Sequence, residues 1–371
     1  MDNKNFQIYF DCGSSKIRAA AFNKEKKKEI FYKEDEFLPD HSNLYLKIKD
    51  IISYLEKNTN EYIDDVNLMI DSPKTLSIGI SISKSIDNSQ IKNEDIQFLI
   101  QDAKQQLLKY YTNLHIAHII IKKYIIDGID YTFLPHNIES NLISLDIFFI
   151  CLPKERIEYF KNFFFNLDIS IGHIYCTSYA KSINYKDHLS SIENVSFIDI
   201  GYDRTSVTGY INNEINFFDT LPIGGNHISK DISKILKIDL EQANNIKLFS
   251  DTDQNFLNKK NFSLELVQKI IFARTEEILE LCSKSIKSNL NLTKLNQFKM
   301  IFMGEGSKIL DKKFKEKISF SNSIDFLEET TEDICQSGLK LSEGSSKQEV
   351  VIIPRKQIKQ GFFEKLFHFF K

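Results

Sequence analysis

The chain has 371 residues, 42% hydrophobic and 27% charged, a globular profile with apolar material for two lobes or more. A net charge of −3, with lysines spread among acids, disfavours nucleic acid as a partner. Five scattered cysteines without CxxC or Cys/His spacing argue against a zinc site or disulfide scaffold, and no apolar run reaches the roughly 18 residues that cross a bilayer.

From the N-terminus, which shows no secretory h-region, the apolar run Phe6 to Phe10 reads as a strand leading into Asp11, Cys12, Gly13, Ser14 and Ser15. Ile17 to Phe22 returns, and a third strand-like run covers Glu29 to Tyr32. Leu44, Ile48, Ile51, Ile52 and Leu55 fall at helical spacing, and Val66 to Ile70 reads as a buried strand, which completes a β-β-β-α-β unit. From Thr75 a separate set begins: a strand over Leu76 to Ile82, an amphipathic helix over Glu94 to Tyr111, and strands over Ile116 to Ile126 and Leu142 to Leu152. Such a strand-helix-strand-strand unit between two halves of another fold reads as an inserted subdomain.

A helix over Lys154 to Asn166, with Phe160, Phe163, Phe164 and Leu167 as core residues, resumes the first lobe, and Asp187 to Asn194 supplies a polar link. The opening signature then recurs. A strand from Val195 ends in Asp199, Ile200 and Gly201, Ser206 to Ile211 returns, and Glu214 to Leu221 follows. Helices are expected over His227 to Leu236, from near Asp239, and from Ser263 to about Leu290. A buried strand, Met300 to Met303, ends in Gly304, Glu305, Gly306 and Ser307, and a last helix runs from about Glu329 to Leu341. Ser342 to Gln348, rich in Ser, Gly and Glu, reads as the start of a linker.

The duplicated Asp-x-Gly turn carries the chemistry. Glycine lets backbone approach a phosphate and leaves turn amides to donate to it, while an Asp at a strand end can hold a hydrated Mg²⁺. One copy is an ordinary turn; two copies half a chain apart, each in a three-strand context, point to a clasp around a nucleotide's phosphates.

With these residues in view, the chain resembles the actin-like ATPase superfamily and, within it, the bacterial cell-division family FtsA. The segment FDCGSSKIRAA (10–20) is similar to the first phosphate loop, with Lys16 at the usual basic position, and FIDIG (197–201) to the start of the second. LPIGGNHISKDI (221–232) is the closest match, and MGEGSK (303–308) resembles the adenosine loop.

The resemblance implies an α/β, actin-like (ribonuclease H-like) two-lobed fold with an inserted SHS2-type subdomain and a C-terminal amphipathic helix. Its implied boundaries are a first-lobe core at 1–74 and 153–190, the insertion at 75–152, a second-lobe core at 191–218 and 298–341, an outer subdomain at 219–297, a linker at 342–360 and the helix at 361–371. The implied cofactors are ATP and Mg. Nucleotide contacts fall to Asp11, Gly13, Ser14, Ser15 and Lys16; to Asp199 and Gly201; to Gly224, Gly225 and Asn226; to Asn244 and Lys247; and to Gly304, Gly306, Ser307 and Lys308. Asp11 and Asp199 would hold Mg through water.

Two departures qualify this reading. Tyr202, Asp203 and Arg204 follow Gly201 where the family has small residues, and the Asp203 carboxylate repels phosphates unless Mg²⁺ or Arg204 compensates. Glu305 also stands where a Gly is usual. Binding is expected to survive while hydrolysis is slow or absent, and no catalytic base is assigned.

The tail reads GFFEKLFHFFK. On a helix, Phe362, Phe363, Leu366, Phe367, Phe369 and Phe370 share a face about 160° wide, with Lys365 and Lys371 opposite. From Arg355 onward five basic residues face one acid, a local charge of +4, which suits an anionic membrane surface. The resemblance then implies a filament on the cytoplasmic face of the inner membrane at the division site, where it binds the C-terminal peptide of the tubulin-like protein FtsZ and later division proteins. An actin-like pilus-assembly protein is the main alternative; a sugar kinase or chaperone ATPase is the less favoured one.

Overall fold

The computed structural model describes residues 4–26, 28–37, 42–135, 138–249, 263–290, 298–310, 323–344 and 348–350. Two five-stranded sheets repeat one plan. In the first, β1 (Phe6–Cys12), β2 (Lys16–Asn23) and β3 (Ile30–Glu36) are antiparallel neighbours, and β4 (Asp65–Ile70) and β9 (Ser170–Cys176) extend the sheet in parallel from β1. In the second, β10 (Val195–Ile200), β11 (Thr205–Ile211) and β12 (Glu214–Leu221) take the antiparallel places, and β13 (Lys299–Met303) and β14 (Ser323–Phe326) the parallel ones. The strand orders, β3-β2-β1-β4-β9 and β12-β11-β10-β13-β14, are the same order written twice. The two Asp-x-Gly turns therefore occupy equivalent places at the ends of the two central strands.

Each sheet is covered on both faces, so the central strands are mostly apolar, and β10 is buried along its whole length. Helix α1 (Leu44–Thr59) buries Leu44, Ile48, Ile51, Ile52 and Leu55 and stops at Asn60, whose φ of 56° breaks the helix. With α3 (Lys154–Phe165) it covers one face around Phe10, Phe160 and Phe164, all fully buried. Truncating any one of these rings costs about 3–5 kcal/mol.

Between the sheets lies a shared core in which Tyr9, Tyr175 and Tyr179 meet Phe197 and Tyr210. It is built around α4 (Thr177–His188) and α8 (Thr331–Ser342). The start of α8 is set by Thr330 and Asp333, each side chain bonding the other's backbone amide.

Helix α4 corrects the sequence reading, which expects a polar link over Asp187 to Asn194 and assigns no element between Leu167 and that link. Asp187 and His188 are the helix's last turn. Buried on nearly all sides between two sheets, α4 has no apolar stripe to reveal it.

The inserted unit comprises β5 (Leu76–Gln90), α2 (Asn93–Tyr110), β6 (Leu114–Ile126), β7 (Ile129–Tyr131) and β8 (Glu139–Pro153), in a sheet ordered β5-β8-β6-β7. Strand β7 was not expected. It is produced by Asp127–Gly128, both at positive φ (47° and 84°), the pairing that closes a tight hairpin. Gln348 to Val350 then adds to the uncovered edge of β6, the Ile121 amide donating to Gln348 and Val350 to Ile119. Gln348, expected in the linker, is thus pinned to this sheet.

A further small core, around Ile228, Ile232, Ile246 and Val267, joins α5 (Gly225–Leu236), α6 (Leu240–Phe249) and α7 (Leu264–Asn289). Among the described residues no helix is long and apolar enough to cross a membrane. The tail helix expected at 361–371, with its aromatic face, lies outside the described residues.

Candidate functional site

The two hairpins end at one cleft of about 1340 Å³. The first turn closes with the Gly13 amide donating to the Lys16 carbonyl at 3.1 Å; the amides of Ser14 and Ser15 have no protein acceptor among the described residues. Arg156 Nη2 donates to the Gly13 carbonyl at 3.1 Å and fixes the turn from outside. The second turn closes the same way, Gly201 to the Arg204 carbonyl at 2.8 Å. The residues expected from the first turn all line the cleft, as do Asp199, Gly201, Gly225, Asn244 and Lys247, and Gly304, Gly306, Ser307 and Lys308 close it from the far side.

Gly224 and Asn226 stand behind this wall. The Asn226 amide donates to the Tyr202 carbonyl at 2.8 Å, and a Cβ on Gly224 would lie 2.6 Å from the Gly201 carbonyl. The Gly225 amide donates to Gly201 at 3.0 Å, so the N-terminal amides of α5 are spent on the second loop. Asp203, expected to repel phosphates, accepts from Asn226 Nδ2 at 3.0 Å.

The two strand-end carboxylates are buried, 5% and 2% exposed, and each is ion-paired. Asp11 pairs with Arg18 Nη1 at 3.0 Å and accepts from Thr177 Oγ1 at 2.9 Å. Asp199 pairs with Lys181 Nζ at 2.9 Å and Arg204 Nη2 at 3.3 Å. Lys181 also meets Glu329 at 2.9 Å, and Arg204 pairs with Asp71 and donates to Ser206 Oγ at 3.2 Å.

Burial would raise the Asp199 carboxyl, but the charges of Lys181 and Arg204 outweigh it and hold it below the ordinary range. Burial also raises Glu329, where Lys181 offsets only part of the cost. Burial would likewise lower Lys181, yet Asp199 and Glu329 keep it well above its ordinary value.

The resemblance places a basic residue of the first loop at Lys16. That side chain lines the cleft and reaches Glu34, Glu36 and Glu305 at 3.3–3.6 Å, while Arg18 is the one that meets Asp11. The reason is register: in the β1–β2 hairpin Asp11 lies directly opposite Arg18.

Gly304, at φ 87°, is held by its amide donating to Glu329 Oε2 at 2.8 Å; a Cβ there would come 2.3 Å from Asp199 Oδ1. Lys308 pairs with Glu305 at 2.7 Å. On α6, Asn244 accepts from Ser229 Oγ at 3.2 Å, and Lys247 donates to the Gly225 carbonyl at 3.1 Å, its ammonium lowered to about 8 by burial.

Arg18, Asp71, Lys181 and Glu329 are the site residues that the sequence reading missed. Arg18 was available from hairpin register, and Asp71 from its place at the end of an apolar strand. Lys181 and Glu329 gave no signal, since only the tertiary fold carries them to the cleft. The resemblance places Cys176, Thr177 and Ser178 on the family's connecting segment without choosing among them, and the structure brings Thr177 to Asp11.

Repeated sheets with paired turns at a shared cleft define a protein of the actin-like ATPase fold. The structure is similar in shape to a solved PilM–PilN type IV pilus biogenesis complex, with a TM-score of 0.62 at 10% identity over 88% of this chain and 89% of that one. In sequence, the family model "Cell division protein FtsA" matches residues 196–350. FtsA of Bacillus subtilis is 26% identical over 56% of this chain and 50% of its own length, so the chain spans about half of that relative. FtsA of Buchnera aphidicola from Acyrthosiphon pisum is 23% identical over 76% of this chain and 74% of its own length. The chain is thus similar in sequence to FtsA proteins, and its fold is actin-like.

Proposed function

We propose that this chain is an ATP-binding actin-like protein of cell division that forms filaments on the cytoplasmic face of the membrane and tethers FtsZ there. The observation that supports it best is the pair of equivalent turns meeting at one cleft, in a chain whose sequence relatives are FtsA proteins. The pilus-assembly alternative rests on likeness of shape, which speaks to fold alone.

ATP fits the residues present. The unpaired amides of Ser14 and Ser15 suit phosphate oxygens, and the cleft wall from Gly304 to Lys308, with Asn244 and Lys247, suits the adenosine. When bound, ATP would supply the polyphosphate that the Ser14 and Ser15 amides are placed to hold. The donor set does not fit Mg²⁺: Asp11 and Asp199, the two carboxylates expected to hold it, both carry buried cationic partners in its place. With the second loop filled by its own side chains, hydrolysis is slow.

The aromatic and cationic tail is the membrane contact. An amphipathic segment this short holds a monomer weakly, so attachment draws on many copies in one filament. The test is liposome co-sedimentation of the intact chain and of one ending at Gln360, with and without ATP and purified FtsZ. The intact chain is expected to carry FtsZ into the pellet and the truncated one to leave it in solution; equal pelleting of both versions overturns the tether.

A further inference from the structure

We infer that the cleft binds a nucleotide's polyphosphate without a divalent metal, with Arg18, Lys181 and Arg204 standing where a hydrated cation would otherwise bridge the two strand-end carboxylates. This rests on the nucleotide reading above and specifies how that site works. Three observations lead to it.

First, the positive groups come from three separate elements, β2, α4 and the second turn, and converge on the two carboxylates at 2.9–3.3 Å. All three residues line the cleft. Secondly, all three are buried, at 7%, 4% and 9% exposure, and each is braced by a further acid: Glu305 for Arg18, Glu329 for Lys181 and Asp71 for Arg204. Such a group cannot swing into solvent to make room, because leaving would strand buried carboxylates without partners.

Thirdly, a divalent ion set between Asp11 and Asp199 would lie within a few ångströms of three fixed positive charges in a poorly screened interior, whereas phosphate oxygens would meet those same charges favourably. Lys181 and Arg204 hold Asp199 ionised, so the strand-end carboxylates keep protein cations as their partners.

The test is the affinity of the full-length chain for a fluorescent ATP analogue, by polarisation, in excess EDTA and in excess Mg²⁺. The two affinities are expected to agree within about threefold. Binding in Mg²⁺ that weakens by about tenfold or more in EDTA overturns the inference and leaves the nucleotide reading intact. No binding in either buffer overturns the nucleotide reading, and the inference falls with it.

Arg18→Gln supplies the second arm, its thermal melt recorded alongside to show that it folds. Freed of its guanidinium, Asp11 becomes available to a metal, and the variant's affinity is expected to drop at least about tenfold in EDTA while recovering in Mg²⁺. A folded Arg18→Gln protein that stays indifferent to Mg²⁺ removes Arg18 from the role assigned to it.

Discussion

The first and second turns share strand order, hairpin closure and a buried Asp, yet their surroundings differ. Asp11 is neutralised from its own hairpin by Arg18, and the adjoining Ser14 and Ser15 amides face the cleft unpaired. Asp199 is neutralised from elsewhere, by Lys181 on α4 and by Arg204, which reaches across to Asp71 at the end of β4. The second turn also absorbs the amides of Gly225 and Asn226 into its own carbonyls. A repeated backbone therefore need not repeat a chemistry: one turn stays open for an anion, while the other serves as the brace between the two sheets.

Lys181→Ala should break that asymmetry most severely. It leaves Asp199 and Glu329 buried without their shared ammonium, at a cost of about 3–5 kcal/mol. Urea unfolding would read the loss directly, and a change below about 1 kcal/mol would show that Arg204 alone sustains the second turn. A somewhat smaller effect is expected from Gly304→Ala. The new methyl would meet the Asp199 carboxylate at 2.3 Å on a backbone at φ 87°, for a cost of about 2–3 kcal/mol with weakened nucleotide binding. A variant as stable as the parent, with unchanged affinity, would mean that the strand end yields easily and that Gly304 does not fix Asp199.

Much of this architecture was legible before the fold was known, because both sheets begin with apolar strands that end in Asp-x-Gly, a local signal. The lobe-facing helix α1 was legible through the spacing of Leu44, Ile48, Ile51, Ile52 and Leu55. Helix α4 was not. It is wrapped on nearly all sides, so periodicity is lost, and its Lys181 looks like any solvated lysine until tertiary packing brings Asp199 and Glu329 to it. Arg18 was overlooked for another reason. The resemblance pointed to Lys16, which does line the cleft, but in a hairpin the partner of Asp11 is chosen by cross-strand register, and that selects Arg18. Asp127–Gly128 carried a readable hairpin signal as well, which was overlooked.

The smallest expected effect concerns Lys247, whose ammonium donates to the Gly225 carbonyl where the second turn meets α5. Burial lowers it to about 8, against an unfolded value of roughly 10.4. The folded chain thus gives up this proton before the unfolded chain does. Between those two values the unfolded state binds more protons, so this residue's contribution to stability grows as pH rises through the window and is complete above roughly 10.4. Lys247→Met removes the term. Near neutral pH the variant should match or slightly exceed the parent, and by pH ~10 the parent should have gained on it by on the order of 2 kcal/mol. Other titrating groups, Lys181 among them, are common to both proteins and cancel in the difference. Denaturant unfolding of the pair at several pH values checks this; a difference that stays level across the range would mean that the ammonium is fully solvated in the folded state and that the second turn owes nothing to its burial.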